Sequence, residues 1–216
     1  MNNVEENMEN LIKSIRDLAN EYSNKLNLKI KDRVKEMKTD DKSHYLIYRV
    51  LGINDAEGDK IDIYQNKGRF LYKYAGSFLE EATVMCLKYK HPNGEKVKIK
   101  NTEGQKPKTF EIDFLCGTNA FEIKWKDATT DGDHITKEHT RVKAVQKRGY
   151  KPIRLMFYTP QREQAQRIQD TLKTVYKGVK GQYYAGENAW NFLKKYTGID
   201  LKKILETIAN EKVSNA

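Results

Sequence analysis

The sequence has little that could tie a fold together covalently, with two cysteines in 216 residues. Cys86 and Cys116 both fall in apolar runs. They read as buried free thiols of a reducing compartment, not as a disulfide or zinc framework. No apolar run reaches the ~18 residues of a membrane helix. The segment MNNVEENMENLIK is acidic and lacks the apolar centre of a signal peptide. Together these absences predict a cytoplasmic protein. GxxxxGK(S/T) is missing, which excludes a phosphate-loop ATP motor. HExxH is missing too, and His134 and His139 do not share a helical face, which argues against zinc. There is no internal repeat, low-complexity tract or flexible linker.

Acidic charge is also scarce, and unevenly so. The net charge is +10 with a pI near 9.3. Between His134 and Lys180 twelve Lys and Arg face only Glu138, Glu163 and Asp170, so nearly all the excess sits in one stretch. Such a balance favours a polyanion, either nucleic acid or an anionic membrane surface. A solvated, lysine-rich face is the plain alternative. The charged share of 32% against 38% apolar fits a folded domain, not a disordered chain.

What is present reads as helix, three strands, helix, strand, helix. Leu11, Ile12, Ile15 and Leu18 recur at helical spacing in a segment ending near Leu28. Asp40 or Asp41 is placed to cap a short helix from Tyr45 to Val50, which Gly52 ends. NDAEGDK is a polar stretch, and helical periodicity returns from about Gly68. HPNGEK is a turn. KVKIK, TFEIDFLC and AFEIKWK are strands, the last two joined by GTN. DATTDGD is a loop, and Asp133 is an N-cap for a helix from His134 to about Arg148, ended by Gly149. KPIRLMFY is a buried strand, and the intervening helix predicts that it runs parallel to AFEIKWK. Thr159 and Pro160 open a further helix. Gly181 and Gly186 punctuate a loop before two closing helices, the last capped by Asp200.

The chemistry concentrates in FEIDFLCGTNAFEIKWK, residues 110 to 126. Alternation puts Phe110, Ile112 and Phe114 on one face and Glu111, Asp113 and Leu115 on the other. Folding the hairpin brings Asp113, Glu122 and Lys124 to one face. Two neighbouring carboxylates repel unless a cation intervenes. Oxygen ligands completed by water and phosphate are what magnesium prefers. A lysine beside that ion can orient or deprotonate a water, or stabilise charge on a phosphate. Alone, the three residues read first as a surface ion pair on a strand. Their place on adjacent strands, after a helix and before a helix–strand unit, favours the site.

Asp113, Glu122-Ile123-Lys124 and this element order resemble the PD-(D/E)XK nuclease superfamily. Ile112 stands where that family usually has proline, a position that varies widely. The run EIKWKDATTDGDHITKEHTR with GYKPIRLMFY resembles the ApaLI-like restriction endonucleases. The superfamily resemblance covers about residues 68 to 158. It implies an α/β fold with a restriction-endonuclease-like core: a mixed β-sheet flanked by helices, with helical N- and C-terminal additions. Residues 1–67 are expected as a helical region packed on the core. Residues 68–216 are expected as the nuclease core with its C-terminal helices, in one structural domain overall.

The resemblance further implies a type II enzyme hydrolysing double-stranded DNA with Mg2+, or Mn2+ in its place. Asp113, Glu122 and the Ile123 carbonyl hold the metal, and Lys124 serves the water. Family members often carry another acid on the preceding helix, here Glu80 by its spacing from Gly76, or Glu81 by helical periodicity. A homodimer and a protecting DNA methyltransferase are the implied partners. Lys126, Thr129, Thr130, Asp131, His134, Lys137 and Arg141 are candidates to meet DNA. Lys143, Lys147, Arg148, Arg154, Arg162 and Arg167 join Arg141 as candidate phosphate contacts. Two rivals stand beside this reading: a junction-resolving or repair nuclease of the same fold, and a non-catalytic basic DNA-binding protein.

Overall fold

The computed structural model describes residues 2–126 and 132–214. Three helices come first: α1 (Asn2–Lys38), α2 (Tyr45–Val50) and α3 (Asp55–Lys90). β1 (Glu95–Lys100), β2 (Thr109–Cys116) and β3 (Asn119–Lys124) follow. Then come α4 (Gly132–Lys147), β4 (Lys151–Met156), α5 (Glu163–Gly178), β5 (Gln182–Ala185), α6 (Glu187–Thr197) and α7 (Leu201–Ser214).

Several boundaries differ from expectation. α1 continues to Lys38 because nothing in it breaks a helix: it contains neither glycine nor proline, and pairs such as Arg33–Glu36 line its surface. NDAEGDK is a helix start and not a connecting stretch. Asn54 Oδ1 accepts the Glu57 N–H at 3.0 Å, and Asp55 and Glu57 sit at the positive end of the helix dipole. The expected boundary between 67 and 68 therefore falls inside α3. Asp41 does not cap α2; its carboxylate takes the Ser43 N–H and hydroxyl instead. α5 opens at Glu163, after an extended Arg162, so Thr159 and Pro160 lie ahead of it. α4 opens at Gly132, ahead of the expected cap Asp133.

The chain forms two compact units, Arg16–Phe78 and Met1–Ile15 with Leu79–Ala216. The first is helical. Tyr48 donates to Asp62 at 2.8 Å, and Tyr22 meets Tyr74 and Phe78 edge-on at 6.1 and 5.9 Å. The second holds a five-stranded sheet in the order β1-β2-β3-β4-β5. The β1/β2 and β2/β3 pairs are antiparallel; β3/β4 and β4/β5 are parallel. The fold is thus mixed α/β, a sheet flanked by helices, as the resemblance implied. The sequence predicts a loop where β5 forms. It is four residues long between two glycines, too short for a periodic signal.

Both faces of this sheet are covered. Ile99, Phe110, Ile112 and Ala120 pack with Ala144 and Val145 of α4. Phe121 meets Phe192 and Tyr196 of α6 at 6.4 and 5.4 Å. Strict alternation fails in β2. Ile112 and Leu115, three apart, join the same cluster. The cause is a register shift, because Glu95 pairs with Leu115 but Val97 pairs with Ile112. One extra residue is inserted in β2 at this point, a bulge that turns the strand's side chains over. Phe114 consequently does not share a face with Phe110 and Ile112, and Asp113 lies in the bulge.

Candidate active site

The bulge decides where Asp113 points. Ladder pairing between β2 and β3 runs from Cys116/Asn119 to Phe114/Phe121. Two residues past Phe121, the Ile123 N–H donates at 2.7 Å to Asp113 Oδ2, so a side chain takes the place of a backbone acceptor. In a strand a residue's N–H and C=O face the same neighbour. The Ile123 carbonyl therefore faces the edge at which Asp113 sits. Glu122 and Lys124, two apart on β3, share the other requirement: both project to one face of that strand.

The three side chains meet. Lys124 Nζ lies 2.6 Å from Glu122 Oε1 and 3.9 Å from Asp113 Oδ2. Asp113 and Glu122 are buried, whereas the Lys124 side chain is 33% exposed. The lysine is thus the member that opens to solvent. Burial, then the nearby Glu122 charge, pushes the Asp113 carboxyl up to about 7, against the pull of Lys124. Burial lowers the Lys124 ammonium, but Glu122 and Asp113 outweigh it and the net shift is upward. A carboxyl raised by burial and by a second buried carboxylate beside it marks a site short of positive charge.

Glu80 stands at the near side of this group. It is half-buried, and its charge contributes to raising Asp113. Lys96 bridges Glu80 at 2.9 Å and Glu111 at 3.0 Å. Glu81, the alternative by periodicity, is exposed.

On the far side lies a constellation that sequence reasoning did not assemble. Arg141 of α4 bonds Glu122 Oε2 through Nη1. Its Nε and Nη2 donate to Glu138 at 3.1 and 2.9 Å, and Nη2 also to the Tyr176 hydroxyl at 3.1 Å. Arg154 of β4, fully buried, donates to Glu138 at 3.1 Å, and Tyr176 donates to it at 2.6 Å. Burial opposes ionisation of Glu138, yet the two arginines hold its carboxyl well below the usual range. Arg141, read from sequence as a DNA contact, is therefore interior: its guanidinium is spent on Glu122, Glu138 and Tyr176. Arg154 is likewise corrected from phosphate contact to core ion. Two signals pointed there. Glu138 and Arg141 are three apart on the α4 face that carries Val142 and Val145, and an arginine inside KPIRLMFY requires a buried partner.

The other expected contacts are scattered. Lys126 follows β3, with its ammonium 5.3 Å from the Tyr158 ring centroid. Lys137, Lys143, Arg148 and Arg162 are exposed. Lys147 pairs with Glu103 at 2.8 Å, and Arg167 pairs with Glu163. Thr129, Thr130 and Asp131 lie outside the described residues, and of His134 only the backbone, within α4, is described.

Among the described residues no three Asp, Glu, His or Cys side chains are gathered for a metal ion. Asp113 and Glu122 both meet Lys124, and the Ile123 carbonyl faces the same strand edge, so the donors on offer are oxygens. That set suits a hard divalent cation whose shell is completed by water and substrate.

A family model, that of the ApaLI-like restriction endonucleases, matches residues 4–210. No curated protein and no solved structure matches the chain.

Proposed function

The chain belongs to the ApaLI-like restriction endonuclease family, and from that premise we propose how its residues cut DNA. Membership makes it a type II restriction enzyme, a site-specific deoxyribonuclease acting on double-stranded DNA. The finer reading concerns its site: Asp113, Glu122 and the Ile123 carbonyl hold Mg2+, Lys124 serves the attacking water, and Glu80 completes the acidic surround, in the manner of PD-(D/E)XK nucleases. The observation that carries it is the gathering of Asp113, Glu122 and Lys124 at a strand bulge, two of them buried.

Bound to that oxygen set, a divalent ion supplies Lewis acidity toward the scissile phosphate and eases deprotonation of a water. The protein's own residues do the rest. Asp113 is fixed by the Ile123 N–H, so one oxygen is committed and the other stays available. Glu122 is held on one oxygen by Arg141 and on the other by Lys124. A phosphate entering from the exposed side meets Lys124 first. Drawn from Glu122 toward the substrate, its ammonium orients the water and offsets charge gathering on the phosphate. The water oxygen bonds to phosphorus as its proton passes to solvent, the bridging P–O bond breaks, and the departing oxygen takes a proton from solvent.

Outside the site, the exposed Lys137 and Lys143 and the half-buried Lys126 are proposed to meet the backbone, together with Thr129, Thr130, Asp131 and His134. A homodimer is proposed because two such sites can cut both strands of a palindrome. A methyltransferase guarding the same sequence is the proposed cellular partner.

The test is digestion of a plasmid of known sequence in Mg2+, with sequencing of the ends. Wild type is expected to give discrete fragments sharing one short terminal sequence. Asp113→Asn and Lys124→Ala are expected to lose cleavage by about 10³-fold or more while still folding. Wild-type rates in both variants would sink the site assignment. A wild-type protein that shifts plasmid DNA but never cuts it, in Mg2+ or Mn2+, would sink the metal-dependent chemistry.

A further inference from the structure

The catalytic reading uses one side of Glu122. The other side is taken by Arg141, and the chain invests a buried arginine, glutamate, arginine and tyrosine there. We infer that Arg141 is a positioning residue: braced by Glu138, Arg154 and Tyr176, it holds the Glu122 carboxylate in the orientation that receives the metal. The inference rests on the assignment of Glu122 to the metal.

The geometry separates bracing from mere neutralisation. Neutralising Glu122 requires one cation, and Lys124 is already 2.6 Å from it. Arg141 adds a second, and does so from a frame that cannot swing. Nε and Nη2 fork onto the two oxygens of Glu138 at 3.1 and 2.9 Å, which fixes the guanidinium plane. Nη1, pointing out of that fork, reaches Glu122 Oε2, and also the Glu111 carbonyl at 3.4 Å on the strand that bears Asp113. Glu138 is pinned in turn by Arg154 at 3.1 Å and Tyr176 at 2.6 Å. The chain of contacts thus runs from α5 and β4 through α4 to the metal-binding strand.

The charges close as well. Glu122 and Glu138 balance Arg141 and Arg154, so the buried set is neutral, and Glu138 accepts from Arg141, Arg154 and Tyr176. That balance leaves Lys124 surplus to Glu122 and free to turn to substrate. It also differs from the exposed pairs of this protein, such as Arg167–Glu163, with side chains 77% and 78% exposed, which hold nothing in place. Hydrogen-bonded support of a ligating carboxylate ordinarily changes metal affinity or activity by about 10–100-fold when removed.

The experiment compares wild type with Arg141→Lys, which keeps the charge and loses the planar fork, and with Tyr176→Phe, which removes one hydroxyl and preserves shape. Mn2+ binding is measured by calorimetry without DNA, plasmid cleavage in Mg2+, and plasmid-fragment gel shift without divalent ions. For Arg141→Lys, Mn2+ binding is expected to weaken about tenfold and cleavage to fall about 10–100-fold, with the gel shift within about twofold of wild type. For Tyr176→Phe the same direction is expected at about threefold, and this variant carries the test if Arg141→Lys does not fold. Unchanged Mn2+ binding in the folded variants overturns the inference. So does a gel shift that weakens in step with cleavage while Mn2+ binding holds, since Arg141 would then be a DNA contact. Asp113→Asn separates the two layers. If it cuts like wild type, the catalytic reading itself fails; if it is inactive while Arg141→Lys behaves as wild type, only the positioning role fails.

Discussion

Two ionic clusters flank Glu122, and they are built to opposite rules. The inner one, Arg141, Glu138, Arg154 and Tyr176, lies between α4, β4 and α5, with every member buried. Its charges pair, and its hydrogen bonds link three elements. The outer one, Lys124, Asp113, Glu80, Lys96 and Glu111, is partly open: Lys124 is 33% and Lys96 49% exposed. Its carboxylates outnumber its lysines, and burial with the Glu122 charge pushes the Asp113 carboxyl up to about 7. The contrast separates what keeps a site still from what lets it react. A neutral cluster of paired charges has little to gain from a further cation. A cluster short of positive charge has a free-energy reason to take a cation or to wait for one.

The comparison breaks if the inner cluster can be lost cheaply. Arg154 is fully buried, and replacing it leaves Glu138 without one of its two cations. Arg154→Met is expected to lower unfolding stability by about 3–5 kcal/mol, the usual cost of breaking a buried pair on one side. Urea denaturation checks this. A loss under about 1 kcal/mol would mean the inner cluster is an ordinary ion pair, not a brace.

The outer cluster makes a prediction of opposite sign. Burial and the Glu122 charge push the Asp113 carboxyl up to about 7, from the 3.8 of an ordinary aspartate. Between those values the folded protein binds more protons than the unfolded chain, so stability falls as pH rises, and levels off above the folded pKa. Asp113→Asn removes that slope. Without divalent ions the variant is expected to be more stable than wild type at pH 8, by at most about 4 kcal/mol, and comparable to it near pH 4. Thermal melts across that range decide it. A stability difference between wild type and Asp113→Asn that stays constant from pH 4 to pH 8 would show that Asp113 is not the strained member.

Much of this was legible in the sequence, and the illegible parts have physical reasons. TFEIDFLC and AFEIKWK announce two strands by alternation, and that alternation alone places the acid–acid–lysine set on them. The bulge was invisible, because a single inserted residue changes which face each side chain meets without changing composition. Its consequence is real: Asp113 lands in the interior, and Phe114 parts from Ile112. β5 was lost to its shortness. Arg141 and Arg154 were misread because arginine is a surface residue by habit, and only the rare acid Glu138, set among basic neighbours, hinted at buried partners. Length misled in the helices, where Asp55–Lys90 begins well before its apolar periodicity does.

The smallest effect sharpens the choice between Glu80 and Glu81. Lys96 holds Glu80 at 2.9 Å and Glu111 at 3.0 Å, half in solvent, so its loss is expected to cost less than about 1 kcal/mol of stability. Its effect on the metal runs the other way. Lys96 competes with a cation for Glu80, and its removal leaves more negative charge beside Asp113. Lys96→Ala is therefore expected to lower the Mg2+ concentration for half-maximal cleavage, by a factor of roughly two to five, the equivalent of one partly exposed ion pair. Glu80→Gln is expected to raise it, and Glu81→Gln, on an exposed position, to leave it unchanged. If Glu81→Gln raises the requirement and Glu80→Gln does not, the acidic surround of the site is formed from the other residue of the pair, and the helix must present a different face to the metal from the one that Lys96 now marks.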